Sequence, residues 1–421
     1  MNRPPPVLVI GAGAAGLVAA IFAARAGAAV VLLESSADGG RKILISGGGR
    51  CNILPSVDAP ERFVTESSRA SLRKILGAWP LADQRRFFER ELGVPLVLEP
   101  ESGKLFPAGN RAKDVRDGLV RWARNAGVQL RFGVQVRAVR PVADTGQWTV
   151  AMDHEAELLA SAVVLATGGL SVPKTGSDGF GLRVARGLGH VVHEPYPALT
   201  PLRADPATHA HLSGISLEVT IGVVGKPRSR LRGGLLFTHR GYSGPSVLDI
   251  SHSIAQPRAR GADIPQLEVQ WTSRDAEQWD AGLRTGRGNV RPFLARSMPA
   301  RLAEQLVTES NVSLDTSLAQ LGRGARRALV RRLSAYVLPV TGDEGYAKAE
   351  VTGGGVALSE VVPRTMESRR SAGLFLCGEM LDAFGPIGGY NFQWAWSTGR
   401  TAGLGVAARH AAAQDDPNDR R

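Results

Sequence analysis

Val7-Leu-Val-Ile-Gly-Ala-Gly-Ala-Ala-Gly-Leu17, answered by Ala29-Val-Val-Leu-Leu-Glu34, decides the fold. Val7–Ile10 is an apolar run of strand length that stops at Gly11. Ala14–Ala26 continues with small and apolar residues at helix-compatible spacing, and Ala29–Leu33 is a second strand closed by Glu34. A right-handed crossover makes the two strands parallel neighbours. In the Gly11-x-Gly13-x-x-Gly16 core, Gly11 permits the tight turn, Gly13 lets backbone meet a pyrophosphate, and Gly16 lets the helix pack on the sheet. The N–H groups of the first helical turn, at Ala14 and Ala15, point at the phosphates. Glu34 ends the second strand, where a carboxylate accepts hydrogen bonds from ribose hydroxyls. A glutamate rather than an arginine here disfavours a 2′-phosphate.

Reading outward, Gly39-Gly-Arg-Lys-Ile-Leu-Ile-Ser-Gly-Gly-Gly-Arg-Cys-Asn52 follows at once. Such a loop presents consecutive backbone N–H groups, Gly48 among them, with Arg41 and Lys42 adding charge near phosphates. The apolar Ile43, Leu44 and Ile45 favour an ordered wall over a mobile surface loop. Cys51 reads as a small buried thiol. Gln135, within an expected strand over 129–136, joins the candidate cofactor set. Val163-Val-Leu-Ala-Thr-Gly-Gly169 is a strand running into small residues, placing Thr167 and Gly168 beside the same nucleotide.

Near the other end, Leu374-Phe-Leu-Cys-Gly-Glu379 is a strand ending in Gly378 and Glu379, followed by Asp382. Gly385-Pro-Ile-Gly-Gly-Tyr-Asn391 then opens the last helix. A carboxylate at such a strand end binds ribitol hydroxyls, and the N-terminus of the next helix stabilises negative charge on a reduced flavin ring. Gly388, Gly389, Tyr390 and Asn391 are the candidate residues at that end. With the first motif they imply FAD. No second strand–Gly-x-Gly-x-x-Gly–helix occurs, since Gly353–Gly355 lacks that context. NADPH or NADH, if used, is expected as a transient donor without a domain of its own.

The 421 residues predict two or three domains, and 43% hydrophobic with 21% charged residues is ordinary for a globular enzyme. Net charge is +12, yet lysine occurs at only seven positions, so the basic excess is arginine. No lysine-rich tail or compact basic run with interleaved aromatics is present, and a nucleic-acid partner is the disfavoured reading. Two cysteines, Cys51 and Cys377, give no disulfide framework and no metal-ligand spacing, and no metal is expected. The apolar Val7–Leu33 run contains Arg25 and the glycine motif, which argues against a membrane span or signal segment. A cytoplasmic protein with a small-molecule substrate is the expectation, and the oligomeric state stays open.

The expected organisation is a first FAD-binding part over 1–189, a β-rich insert over 190–274, a helical insert over 275–342, a second FAD-binding part over 343–410, and a disordered tail over 411–421. Helices are expected at about Ala112–Asn125, from Gly179 to about Leu188, over Leu302–Val307 and Ala325–Val337, and around Asn391–His410. In the insert, Leu235-Leu-Phe-Thr-His-Arg-Gly-Tyr-Ser-Gly-Pro245 joins a strand to a helix whose start is marked by Ser243 and Pro245. Thr238 and His239 there are candidates to contact substrate, with His239 as proton donor, and Asn391 is a third catalytic candidate.

These motifs together resemble a known family, the bacterial HI0933-like FAD-binding flavoproteins, whose relatives include BaiN-type bile-acid reductases and aminoacetone-oxidase-like proteins. The resemblance covers nearly the whole chain. It rests on GAGAAGLVAA from Gly11, GRKILISGGGRCN at 40–52, TGSDGFG at 175–181, GLLFTHRGYSGPSVL at 234–248, AEVTGGGVALSEV at 349–361 and CGEMLDAFGPIGGYNFQWAWSTGRTAG at 377–403. It implies a Rossmann-like α/β FAD domain interrupted by a β-barrel-like domain and a small helical domain. It also implies that Gly13, Glu34, Arg41, Thr167, Gly378, Glu379 and Asn391 line FAD. Fold and cofactor carry over from the resemblance and the substrate does not; hydride transfer between flavin N5 and a small organic substrate is the leading expectation. A basic RNA-binding or RNA-modifying flavoprotein is the alternative.

Overall fold

The structure, a computed structural model, describes residues 5–414. The chain forms two compact units, one from the segments up to Pro195 and from Val351 onward, the other Tyr196–Glu350. The second unit runs from Tyr196 to Glu350, where inserts over 190–274 and 275–342 were expected.

The first unit is built on a five-stranded parallel sheet. Its strands are β1 (Val7–Ile10), β2 (Val30–Glu34), β3 (Gln129–Phe132), β4 (Ala162–Leu165) and β5 (Leu374–Leu376), in the order β5-β4-β1-β2-β3. Every residue of β1, β4 and β5 is buried, which explains their unbroken apolar runs: a parallel sheet covered on both faces has no polar side to alternate with. Helix α1 (Ala14–Arg25) follows β1, α2 (Ala112–Asn125) precedes β3, and α3 (Tyr390–Gln414) closes the unit. The small residues of α1 have a packing reason. A Cβ on Gly399 or Gly403 of α3 would stand 2.4 Å from the carbonyl oxygen of Ala15 or Ala19. Two glycines one turn apart therefore let α3 cross α1 at backbone contact.

Two expectations are corrected in this unit. The strand over 129–136 is two strands, β3 and Val136–Pro141, because Gly133 (φ 75°) turns the chain between them. The second pairs antiparallel with Trp148–Met152 instead of joining the parallel sheet. The tail does not begin at 411, since α3 continues to Gln414, and the remainder of the expected tail lies outside the described residues.

In the second unit a seven-stranded antiparallel sheet runs in the order Tyr336–Leu338, Leu267–Gln270, Ser216–Val223, Leu231–Phe237, Gly241–Ser243, Leu202–Arg203, Gly342–Asp343. Helices Ala276–Thr285, Val290–Ala295, Ala300–Glu309 and Arg323–Ser334 bury Trp279, Leu306 and Leu329 in the same cluster as Val219, Ile221 and Trp271 of the strand side. The helix expected over 325–337 stops at Ser334. Tyr336–Leu338 is instead a strand, paired with Leu267–Val269. Among the described residues no helix is long and apolar enough to cross a membrane.

Candidate functional site

The glycine motif separates into two packing glycines and one open one. A Cβ at Gly11 (φ 102°) would meet the Ala166 carbonyl oxygen at 2.5 Å, and one at Gly16 would lie 1.8 Å from the Gly11 oxygen. A Cβ at Gly13 would meet nothing within 4 Å. Gly13 thus keeps clear a space that no protein atom fills, directly before α1. No side chain caps α1 and no acidic residue stands in its first turn, so the N–H groups of Ala14, Ala15 and Gly16 and the positive helix end face that space. This is the shape and charge that a pyrophosphate requires.

The Glu34 carboxylate stands beside it. Its Oε2 accepts from Ala12 N–H at 2.7 Å and its Oε1 from Ser36 N–H at 2.8 Å. A carboxylate has about four acceptor positions, so hydroxyl donors still find partners there. Val134 N–H donates to the Glu34 carbonyl and Gly133 N–H to that of Ser36, both at 2.9 Å, which brings Gln135 to the same sheet end. Gln135 also opens a cleft of about 490 Å³ running along Val136–Pro141 and the Phe180–Leu188 stretch.

The 39–52 run is ordered. Gly40 N–H bonds to the Ala12 carbonyl at 2.8 Å, a short helix covers Arg41–Ile45, and Gly47, Gly48 and Gly49 follow in left-handed backbone. Lys42 and Arg41 part company. Arg41 is largely exposed and pairs with Asp38 at 3.3 Å. Lys42 turns inward: its Nζ is 2.6 Å from Glu379 Oε2 and 2.7 Å from Ser171 Oγ. Glu379 Oε1 in turn accepts from Ser171 Oγ (2.6 Å), Thr352 N–H (3.0 Å) and Thr352 Oγ1 (2.9 Å). Four segments far apart in sequence meet in this cluster. Ser171 and Thr352 were missed by sequence reasoning, because neither sits in a glycine motif with a strand–turn–helix context. The one signal available was the placement of Thr352 immediately before Gly353–Gly355.

The other expected residues are placed as follows. Thr167 Oγ1 accepts from Gly181 N–H at 3.2 Å, and Gly168 is left-handed at 71°. Gly378 (φ 80°) is buried, its carbonyl held by Trp394 Nε1 at 3.1 Å. Gly388 and Gly389 are both left-handed, and a Cβ on Gly389 would strike Leu54 backbone at 2.4 Å. Asn391 is folded back on the turn before α3: its Oδ1 accepts from Gly385 N–H and its Nδ2 donates to the Gly385 carbonyl, both at 2.9 Å. Tyr390 is buried edge-on against Phe63 under the Arg62 guanidinium. Asp382 is 1% exposed and its Oδ2 accepts from Glu66 N–H, Ser67 N–H, Ser67 Oγ and Thr65 Oγ1. Burial pushes its carboxyl above the usual carboxylate range, against the opposing hydrogen bonds and His193 at 3.6 Å. These contacts tie Asp382 to the remote Thr65–Ser67 segment and Asn391 to the turn before α3. Cys51 is buried, and burial pushes its thiol up to about 12.

Thr238 and His239 belong to the second unit, in the turn between Leu231–Phe237 and Gly241–Ser243. Thr238 Oγ1 accepts from Arg240 N–H and Gly241 N–H, so that hydroxyl shapes the turn, while His239 is exposed.

A family model described as the HI0933-like protein Rossmann domain matches residues 5–405. The chain is 31% identical over 377 residues to a 3-dehydro-bile acid delta(4,6)-reductase of Clostridium scindens, covering 87% of this chain and 90% of the relative. It is 33% identical over 395 residues to a ribosomal RNA dihydrouridine synthase of Escherichia coli, covering 93% and 95%. Among solved structures, a 3-ketosteroid delta1-dehydrogenase from Sterolibacterium denitrificans superposes with a TM-score of 0.54 at 13% identity, covering 97% of this chain and all of that one, a likeness of fold.

Proposed function

The chain belongs to the HI0933-like protein Rossmann-domain family, and on that premise we propose that it is an FAD-dependent oxidoreductase that reduces a carbon–carbon double bond conjugated with a carbonyl. The observation that carries the cofactor is the open space at Gly13, faced by the uncapped start of α1 and flanked by the Glu34 carboxylate. The reaction class is drawn from one relative, a 3-dehydro-bile acid delta(4,6)-reductase, whose name denotes reduction of such a bond.

When bound, FAD supplies two-electron hydride chemistry, with NADPH or NADH as the proposed source of electrons. The chain's own contribution is to hold and orient. Ala14 and Ala15 N–H would bind phosphate, Glu34 the ribose hydroxyls, and Glu379 with Lys42 the linker toward the ring. The start of α3 would lower the cost of negative charge at the ring end. The proposed reduction would place a hydride equivalent supplied by FAD on the β-carbon of the substrate and a proton from solvent on the α-carbon.

The test is the visible absorption spectrum of the purified protein, recorded before and after anaerobic addition of NADPH and NADH. A flavin spectrum that bleaches, then recovers with a conjugated enone, is the expected result. Absence of flavin after FAD is added back would overturn the proposal.

A further inference from the structure

Among the described residues, five buried polar side-chain atoms have no hydrogen-bond partner: Asn52 Oδ1, Gln84 Oε1, Thr200 Oγ1, Trp279 Nε1 and Gln393 Oε1. Gln84 and Gln393 lie in the core with their amide N–H groups engaged, at Trp79 and Ser397 for one and Asp58 for the other. Thr200 and Trp279 belong to the second unit. Asn52 differs in its surroundings. It is the last residue of the 39–52 run and is only partly buried as a residue, yet its Oδ1 is shut away from solvent.

That run connects the two ends of the candidate site. It starts where Gly40 N–H bonds to Ala12 in the glycine motif. It ends against the opening of α3, where Trp396 Nε1 donates to the Ile53 carbonyl at 3.0 Å and Gly389 abuts Leu54. Between them the backbone is held left-handed at Gly47 (55°), Gly48 (67°), Gly49 (87°) and Cys51 (62°). A Cβ at Gly48 would meet nothing within 4 Å, so the loop borders open space. A non-glycine residue in this backbone region and a dehydrated carbonyl without a donor are both unfavourable in the protein alone. The unmet carbonyl is explained if a ligand brings the donor.

The ring end of a flavin brings one. Its pyrimidine part carries an imide N–H between two carbonyls, and a carboxamide, with one acceptor and one donor side by side, is complementary to that edge. The glycine N–H groups and the arginines of the site are donors and cannot serve an N–H. We propose that Asn52 is a cofactor-positioning residue whose side-chain carbonyl accepts the flavin imide N–H and is satisfied only when FAD is bound. The inference rests on the FAD reading above.

The experiment compares FAD with 3-methyl-FAD, which has no imide N–H, by titration of apoprotein, alongside thermal melts of the apo forms. Wild type is expected to bind FAD about tenfold more tightly than 3-methyl-FAD. Asn52→Leu should bind both with similar affinity and melt no lower than wild type, because it removes an unsatisfied group. Asn52→Ala, which adds no bulk, should lose the same preference and keeps the test open if the leucine variant does not fold. Full retention of the preference by either variant overturns the assignment. So does a lowered apo melting temperature with unchanged FAD affinity, which is what a purely structural amide would give. Wild type that takes up neither form overturns the FAD reading itself, and the assignment with it.

Discussion

Lys42 Nζ and Glu379 Oε2 lie 2.6 Å apart although 337 positions separate them in the chain. Their side chains are 26% and 17% exposed, so the pair is neither a screened surface contact nor a dry ion pair. The two partners are not equivalent. Glu379 has three further donors from Ser171 and Thr352, whereas Lys42 has Glu379 and Ser171.

That asymmetry predicts the outcome of removing each. Lys42→Met leaves Glu379 hydrogen-bonded and should cost about 1 kcal/mol or less of apo stability. Glu379→Leu strands the ammonium and the Thr352 N–H and should cost about 2–3 kcal/mol. Urea melts of the apo forms measure both, and equal losses would contradict this account of the cluster.

Gly13 and Gly16 should respond in opposite ways to an added side chain. Gly13 has φ −77° and empty space before it, so Gly13→Val should leave the apo melting temperature within a few degrees of wild type while abolishing FAD uptake. Gly16→Ala drives a Cβ into the Gly11 carbonyl and should destabilise by about 3 kcal/mol or more. Paired melts and flavin-to-protein absorbance ratios separate the two cases.

Acid should unlatch the second unit through Glu309. Burial alone would raise its carboxyl, but hydrogen bonds from His209, Gln305 and Tyr336 prevail and hold it at about 2, against 4.5 in the unfolded chain. The folded value is the lower one. The stabilisation is therefore present above pH 4.5 and lost as pH falls toward 2, amounting to about 1–3 kcal/mol. Chemical melts between pH 7 and pH 2 should show this loss, and Glu309→Gln should flatten it.

Neither cysteine should act as a redox thiol. Burial raises both Cys51 and Cys377 to about 12, so almost no thiolate exists at pH 8. Iodoacetamide at that pH should label neither in the folded protein and both after denaturation. Labelling of Cys51 in the native state would show that its loop opens.

The Gly11–Glu34 part of the candidate site was legible because its parts are local. Strand, turn, helix and second strand are consecutive, and each of Gly11, Gly13, Gly16 and Glu34 has a separate steric or hydrogen-bonding reason within one short unit. The part around Glu379 was legible only as residue types. Glu379 and Lys42 were both singled out, but nothing in their spacing says that they touch. Asp382 and Asn391 look like ligand-binding groups in sequence, and the fold also bonds them to the Thr65–Ser67 segment and the Gly385 turn. A polar side chain has a fixed number of donors and acceptors, and sequence does not say which neighbours claim them first.

The sequence by itself determined the parallel βαβ start, the positions where only glycine fits, and the acid that ends β2, because period, sterics and chain distance over a few dozen residues leave little freedom. Tertiary structure alone decided that Ser171 and Thr352 complete the Glu379 cluster, that Gly133 ends β3, that α3 lies on α1 through Gly399 and Gly403, and that Asn52 Oδ1 has no partner. Each of those depends on contacts between segments remote in the chain. Such contacts are set by how whole elements pack, which no local pattern encodes.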